Sequence, residues 1–528
     1  VQTGEIMLKT LPTTTSGFRK IITGDYLYID KTKYIYQLVQ QPTSAWFLSR
    51  PRRFGKSLLL STLDELFHGN RELFRGLWID SSDYGWQVHP VIRLDFGQEL
   101  IKTAEELKET INTYLEEVAV SYGVTLSAGP HYRRFRHLIQ KLAALEPPKQ
   151  VVILIDEYDK PLIENLDNLA EAKKIRDVLK GFYGVIKAMD RHIRLSFITG
   201  ISKFSKVGVF SDLNNLIDLT MNTAFATALG LTEAEIRQNL AGYITQFAQK
   251  DGTTEEAFLA KLRHWYDGFC FAPEAENVYN PFSTMHLFYH QRFSNYWFET
   301  GTPTFLIKLI HQRNYNIEQV SEMELGELAF STYDIENLAI VPLLFQTGYL
   351  TLKSYEPTFQ RYRLGYPNYE VENAFLTYLL DAFSNTQQGF SEAHLWRLID
   401  ALKAHDLALF FTMLKVLFAN IDYDLHLDYE KYYQTIFYLI FKLIGVRVDA
   451  EVRTNDGRID AVIELDDRIY LFEFKLDKDA KVALQQIQDH AYYQKYQLRG
   501  KPNTCIGANF NTTKRIIDDW KTEEVVAL

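Results

Sequence analysis

Arg50-Pro51-Arg52-Arg53-Phe54-Gly55-Lys56-Ser57 follows the apolar run Trp46-Phe47-Leu48 and precedes the helix-like Leu58-Leu59-Leu60. A strand, a loop ending in Gly-Lys-Ser and a helix, in that order, make a cradle for phosphate. The backbone of Arg53, Phe54 and Gly55, together with the positive end of the helix dipole, would face the β- and γ-phosphates. Lys56 would place a point charge on them, and Ser57 would hold Mg²⁺. Position 50 departs from the pattern, which has Gly six residues before the lysine. A left-handed backbone there would cost Arg about 1–2 kcal/mol. The acidic half of such a site lies downstream. Val151-Val152-Ile153-Leu154-Ile155 is a run suited to a buried parallel strand, and it ends in Asp156-Glu157. Asp156 is then expected on the metal and Glu157 on the attacking water. A third strand, Arg194 to Gly200, would bring Thr199 to the γ-phosphate or its water. ATP and Mg²⁺ are the expected cofactors.

A second constellation lies near the C-terminus. If Asp466-Asp467 is a two-residue turn, Leu465 pairs with Arg468, and counting back sets Asp460 opposite Glu473. Cβ atoms directly opposite are about 4.5–5.5 Å apart, and like charges there repel. Lys475 shares the face of Glu473, while Phe472 and Phe474 point the other way. Two carboxylates held together invite a divalent cation, and a neighbouring lysine can orient a water. Mg²⁺ commonly binds through one or two carboxylates plus substrate phosphate, which is what metal-assisted phosphodiester hydrolysis needs. The same residues also suit a surface hairpin neutralised by Lys475 and Arg458. Spacing alone does not separate the two.

Around these motifs, the alternation of elements sets the fold. Strands near 45–49, 91–96, 151–156 and 194–199 are separated by helices at 103–122 and 172–189. This predicts a parallel, doubly wound sheet over residues 1–225 with the ligand at the strand carboxyl ends. Asp30-Lys31-Thr32 reads as a strand end with Thr32 at a helix N-cap. Residues 226–420 read as a mainly helical lid or linker, opened by a helix capped at Thr232. Turn signals stand at Asp267-Gly268 and Asn280-Pro281, and a short hairpin is expected at 349–352 and 362–364. Residues 421–528 read as a mixed α/β domain. Its expected elements are a helix at 429–444, strands at 446–453, 457–465 and 468–475, a helix at 479–496 and a strand ending near 506.

The 528 residues fit about three domains, and 46% apolar content supplies their cores. No apolar run reaches the roughly 18 residues of a membrane span; the longest, Ile436 to Val446, carries Lys442. The N-terminus lacks a basic-then-apolar signal pattern, and Val1 in place of an initiator methionine reads as a trimmed start. Cys270 and Cys505, far apart, argue against a disulfide framework or zinc site and fit a reducing cytoplasm. A net charge of −10 does not advertise nucleic-acid binding, which depends on local basic surface. Basic clusters occur at Arg50/Arg52/Arg53/Lys56 and at His131–His137, the second reading first as a solvated helix face.

Asp460 with Glu473-Phe474-Lys475 resembles the D…(D/E)-x-K core of the PD-(D/E)XK nuclease superfamily. The whole chain is similar to one family, bacterial AAA-ATPase-like proteins with a C-terminal nuclease-like domain of that superfamily. The similarity runs through Tyr28–Thr32, Arg50–Ser57, Asp156–Pro161, Thr199–Ser205, Trp265–Phe269, Tyr279–Ser283, Gly348–Leu350 and Pro367–Val371. In that light, Arg at position 50 is a habit of the family. The resemblance implies a restriction-endonuclease-like fold in which Asp460 and Glu473 hold Mg²⁺ or Mn²⁺ and Lys475 positions the attacking water. Glu430 matches the acidic residue often found on the preceding helix. Gln486, with Ile487 and Tyr492, matches the helix motif that follows. It further implies ATP hydrolysis gating cleavage of nucleic acid, DNA ahead of RNA, and a homo-oligomer if an arginine comes from a neighbour. The alternative is a nucleotide-switched binding module without nuclease activity. It is motivated by the missing glycine, the acidic charge and the lack of an assignable arginine.

Overall fold

The computed structural model describes the chain except residues 1–7, 42–44, 204–207, 214, 299–305, 308, 311–322, 331–338, 385–389, 420–428, 449–451, 456–457, 492, 515 and 526–528. The chain forms two compact units. One comprises residues 1–305 and 321–370, the other residues 306–320 and 371–528. The helices between 233 and 290 thus belong with the N-terminal sheet, and those from 390 to 419 with the C-terminal one.

In the first unit Ala45–Ser49 (β1), Val91–Asp95 (β2), Val151–Asp156 (β3), Ile193–Gly200 (β4) and Ile217–Asp218 (β5) form a parallel sheet of order β2-β3-β4-β1-β5. Every residue of β1 and β3 is buried, as continuous apolar strands covered on both faces must be. The register sets Leu48 beside Thr199 and Asp95 beside Asp156. The loop after β1, Asp156 and Thr199 therefore share the carboxyl edge of the sheet. The Ala104–Ser121 helix starts at a capping box between Thr103 and Glu106. Thr32 is not the N-cap expected. It lies inside the Thr32–Gln40 helix, and Asp30 Oδ1 accepts from both its N–H (2.8 Å) and its hydroxyl (2.7 Å). On the His131–Ala143 helix, His131 and Phe135 are buried while Arg133 and Arg136 are exposed, the solvated face expected.

Thr232 and Glu235 form the second capping box, opening Glu233–Asn239. Helices Ala241–Lys250, Glu255–Tyr266 and Pro281–His290 follow, around a core including Leu240, Phe247, Phe258, Leu262 and Phe288. Gly268 has φ +98°, and a Cβ there would stand 2.2 Å from Pro367 O, so the turn at Asp267-Gly268 tolerates no side chain. Glu324–Gly326 (β6), Thr351–Glu356 (β7) and Arg361–Gly365 (β8) form a sheet of order β6-β8-β7, with β7 and β8 the expected hairpin.

The second unit holds Val452–Asn455 (β9), Arg458–Glu464 (β10), Ile469–Leu476 (β11), Asn503–Asn511 (β12) and Ile516–Val525 (β13) in a mixed sheet, with β11 and β12 parallel and the other pairs antiparallel. The expected strand at 446–453 is corrected, since the Tyr429–Val448 helix runs through its first residues. The expected 479–496 helix is also two pieces, Ala480–Asp489 and Gln494–Gln497. Likewise the last strand continues past 506 to Asn511 and returns as β13. Among the described residues no helix is long and apolar enough to cross a membrane.

The two faces of β11 are chemically distinct. Phe472 and Phe474 stack at 5.9 Å and pack on Phe410, Phe437 and Phe441. Ile469 and Leu471 pack with Ile487 and Cys505 on the other face, where the Ala480–Asp489 helix lies. Gly507, beside Glu473 in the register, lets that helix approach. A Cβ at 507 would stand 2.3 Å from Leu484 N and 2.4 Å from Ala480 O. Gly507→Ala therefore pushes backbone against backbone and should destabilise this unit by about 1–3 kcal/mol. Thermal melting followed by circular dichroism measures it; an unchanged Tm would refute the close approach.

Candidate nucleotide and metal sites

Gly55 caps the Lys56–Phe67 helix in the left-handed region with no side-chain cap. The first N–H groups of that helix are left to whatever enters the cavity in front of them. Arg53 is the other left-handed residue of the loop, at φ 65°. Arg50 is not left-handed, so the backbone cost anticipated at that position does not arise. Its side chain has a different task. It is 1% exposed and donates to Ser49 O (2.9 Å), Thr220 O (2.8 Å) and Phe225 O (3.2 Å). The guanidinium lies 4.2 Å from the Phe271 ring, a desolvated cation–π contact. Burial pulls its pKa down to about 9, still protonated at neutral pH.

Phe54 is wedged edge-on between Phe269 (4.9 Å) and Phe271 (5.2 Å). Trp297 Nε1 donates to Arg52 O (3.0 Å), and the Trp297 N–H donates to the buried Glu370 (2.7 Å). A Cβ on Gly348 would stand 2.7 Å from Pro51. The loop between β1 and its helix is thus held from outside by residues 269 to 370. Nothing in the sequence near Arg52 announces Trp297, because the contact spans 245 positions.

The loop forms one wall of a cavity of about 560 Å³ lined also by Thr13–Ser16, Tyr28, Lys31, Glu157, Lys160, Pro281, Phe282, Met285 and His286. Lys56 is buried and its Nζ donates to Arg50 O and Pro51 O, both at 2.9 Å. Burial lowers its pKa, opposed by the charges of Glu157, Asp156 and Asp159. Ser57 lines the cavity. Asp156 is 1% exposed. Its Oδ1 accepts from the Thr199 hydroxyl (2.6 Å) and the Glu157 N–H (3.0 Å). Its Oδ2 is buried without a hydrogen-bond partner among the described residues. A buried carboxylate oxygen with no donor is costly, and a divalent cation would satisfy it. Thr199 is fully buried and orients Asp156. Glu157 stands at φ 49°, a strained backbone that turns its carboxylate over Gly97, where a Cβ would come within 3.1 Å of Oε2. Burial raises the pKa of Glu157, as suits a proton acceptor. Asp159, not singled out from sequence, accepts from Ile201 N (3.1 Å) and Ser202 N (2.6 Å) and so fixes the end of β4.

In the second unit β10 and β11 pair in the register expected, Asp460 opposite Glu473 and Glu464 opposite Ile469, with the Leu465 N–H on Arg468 O (2.8 Å) closing the turn. Glu473 is 1% exposed, and Lys475 Nζ donates to its Oε1 at 2.6 Å. Both lie on the face against which the Ala480–Asp489 helix packs. Gln486 sits on that helix, half-buried, with Nε2 buried and lacking a hydrogen-bond partner among the described residues. The backbones of Asp460 and Glu430 lie in β10 and the Tyr429–Val448 helix; their side chains, and Tyr492, fall outside the described residues. Among the described residues no three His, Cys, Asp or Glu side chains converge. Mg²⁺ needs only one or two protein carboxylates when substrate phosphate completes the shell.

Residues 12–210 match a family model described as Predicted AAA-ATPase, and residues 428–520 match the model of the PD-(D/E)XK nuclease superfamily. A protein of Azotobacter chroococcum mcd 1, described as an uncharacterized protein in the vnfD 5' region, is 37% identical over 533 residues, covering 98% of this chain and 99% of the relative. The N-terminal parallel sheet and the C-terminal mixed sheet are consistent with the two matches. The chain belongs to the family that joins an AAA-ATPase-like domain to a C-terminal PD-(D/E)XK nuclease-superfamily domain.

Proposed function

We propose that the N-terminal unit binds and hydrolyses ATP with Mg²⁺, and that its nucleotide state gates cleavage of phosphodiester bonds in nucleic acid, DNA first, by the C-terminal unit. The observation that carries the reading is the register that sets Asp460 opposite Glu473 with Lys475 bonded to Glu473. A buried ion pair is a poor source of stability, so its presence at the motif favours chemistry. Asp460 and Glu473 would hold Mg²⁺ or Mn²⁺, the ion supplying charge at the scissile phosphate. Lys475 would hold the attacking water, with Glu430 and Gln486 orienting the carboxylates around it. In the N-terminal unit Lys56 and the backbone of Arg53, Phe54 and Gly55 would bind phosphate, Ser57 and Asp156 the metal, and Glu157 the water. Thr199 would keep Asp156 in place.

A second reading, a nucleotide-switched module that binds without cutting, has one observation in its favour. Lys475 is committed to Glu473, as in a purely structural hairpin. Calorimetric titration of Mn²⁺ into the nucleotide-free protein, beside Asp460→Asn, separates the two. Cleavage chemistry predicts a binding event lost in the variant; identical titrations favour the switch.

A further inference from the structure

Arg50, Arg52 and Arg53 meet three different fates. Arg50 is buried beneath Phe271, and the Arg53 guanidinium lies 4.9 Å from the Phe282 ring. Arg52 is exposed, lines the cavity, and its guanidinium has no hydrogen-bond or ion-pair partner among the described residues. Its backbone is fixed, because Trp297 Nε1 donates to the Arg52 carbonyl at 3.0 Å. Three lysines that also line the cavity are committed. Lys31 is bonded to Glu235 and Thr227 O, Lys56 to two loop carbonyls, and Lys160 to Gly97 O and Glu99 O. Arg52 lines the same cavity as Lys56 and Glu157, and its charge opposes the burial that raises the pKa of Glu157. It therefore stands near the two groups between which a γ-phosphate and its attacking water would sit.

We propose that Arg52 is a catalytic residue of the ATP site: its guanidinium, carried by the phosphate loop itself, meets the γ-phosphate and balances its developing charge, so that each chain hydrolyses ATP without an arginine from a neighbour. The proposal rests on the ATP reading above. In the step, the water oxygen bonds to Pγ as the bond from Pγ to the β,γ-bridging oxygen breaks. The electron pair of that bond stays on ADP. The water's proton passes to Glu157 and then to solvent, leaving inorganic phosphate. Arg52 neither gains nor loses a proton. It contributes charge in a fork geometry that matches phosphate oxygens.

The test uses the full chain, wild type against Arg52→Ala and Arg52→Lys, with kcat and KM measured separately by phosphate release and ADP affinity by calorimetry. An arginine of this kind is worth about 10³–10⁵ in kcat. Arg52→Ala should therefore lose about 10³-fold or more in kcat, while KM and ADP affinity stay within roughly threefold. Millimolar guanidinium should restore part of the rate, and Arg52→Lys should recover less than wild type because lysine lacks the fork. Wild type should trap ADP–aluminium fluoride and Arg52→Ala should not. The rate per chain should not change on dilution. A kcat within roughly threefold of wild type, a loss of ADP affinity as large as the loss of kcat, or a rate per chain that rises with protein concentration would each overturn the proposal. A wild-type chain that neither binds nor hydrolyses ATP would remove the ATP reading, and this proposal with it.

Discussion

Lys475→Ala loses metal-dependent cleavage and keeps ATP binding: that is the expected result, and it is the largest single-residue effect in the C-terminal unit. Removing a group that positions or deprotonates the attacking water typically costs about 10²–10⁴-fold in rate. Here the loss also strips Glu473, 1% exposed, of the ammonium on its Oε1. Breaking a buried pair costs about 3–5 kcal/mol of stability, so part of any loss of activity could come from unfolding. Lys475→Met, which keeps much of the stem's volume, should melt closer to wild type and remain inactive. Plasmid nicking with Mn²⁺, read beside a melting curve of the same sample, checks both variants. Cleavage by folded Lys475→Ala at the wild-type rate would sink the assignment of Lys475 and with it the proposed nuclease centre.

The second large effect is in the N-terminal unit. Lys56→Ala should weaken ATP binding at least about 100-fold, since charge-assisted hydrogen bonds are worth about 1.5–3 kcal/mol each and each 1.4 kcal/mol is tenfold in affinity. The substitution should stop hydrolysis. The ammonium now rests on Arg50 O and Pro51 O, in front of an uncapped helix start, so it sits where it can pass to a phosphate with a small displacement. Titration with a fluorescent ATP analogue measures the change. Equal affinity for both proteins would mean that the nucleotide, if bound at all, sits elsewhere.

The parts of the molecule set by short-range rules were legible before the structure. The two-residue turn at Asp466-Asp467 fixed the β10–β11 register, and with it the pairing of Asp460 and Glu473, because side chains alternate with a period of two. Thr232 with Glu235 declared a helix start, since the capping box needs only residues three apart. A continuous apolar run marked β1, and a β-branched one marked β3. The misses are of the opposite kind. β13 carries Asp518, Asp519, Glu523 and Glu524 and has no counterpart among the elements expected from sequence; it is a strand because β12 pairs with it along its whole length. The role of Arg50 depends on carbonyls at 220 and 225 and a ring at 271. No pattern within one loop encodes that. The helix starts at Thr32 itself, one residue earlier than expected, with the Asp30 carboxylate accepting from the Thr32 N–H two residues on.

The burial of Arg50 and Phe54 has a practical corollary for anyone dissecting this chain. The AAA-ATPase-like match ends at residue 210, and a gene fragment cut there looks like a self-sufficient ATPase module. It would carry the phosphate loop but leave behind Thr220 and Phe225, which cap the Arg50 guanidinium, Phe269 and Phe271, which hold Phe54, and Trp297, which holds Arg52. A bare guanidinium and an exposed phenyl ring would face solvent where the intact chain has its core. The segment matched by the family model is therefore shorter than the unit of folding, and the smallest piece that keeps the loop after β1 packed extends through residue 297 at least.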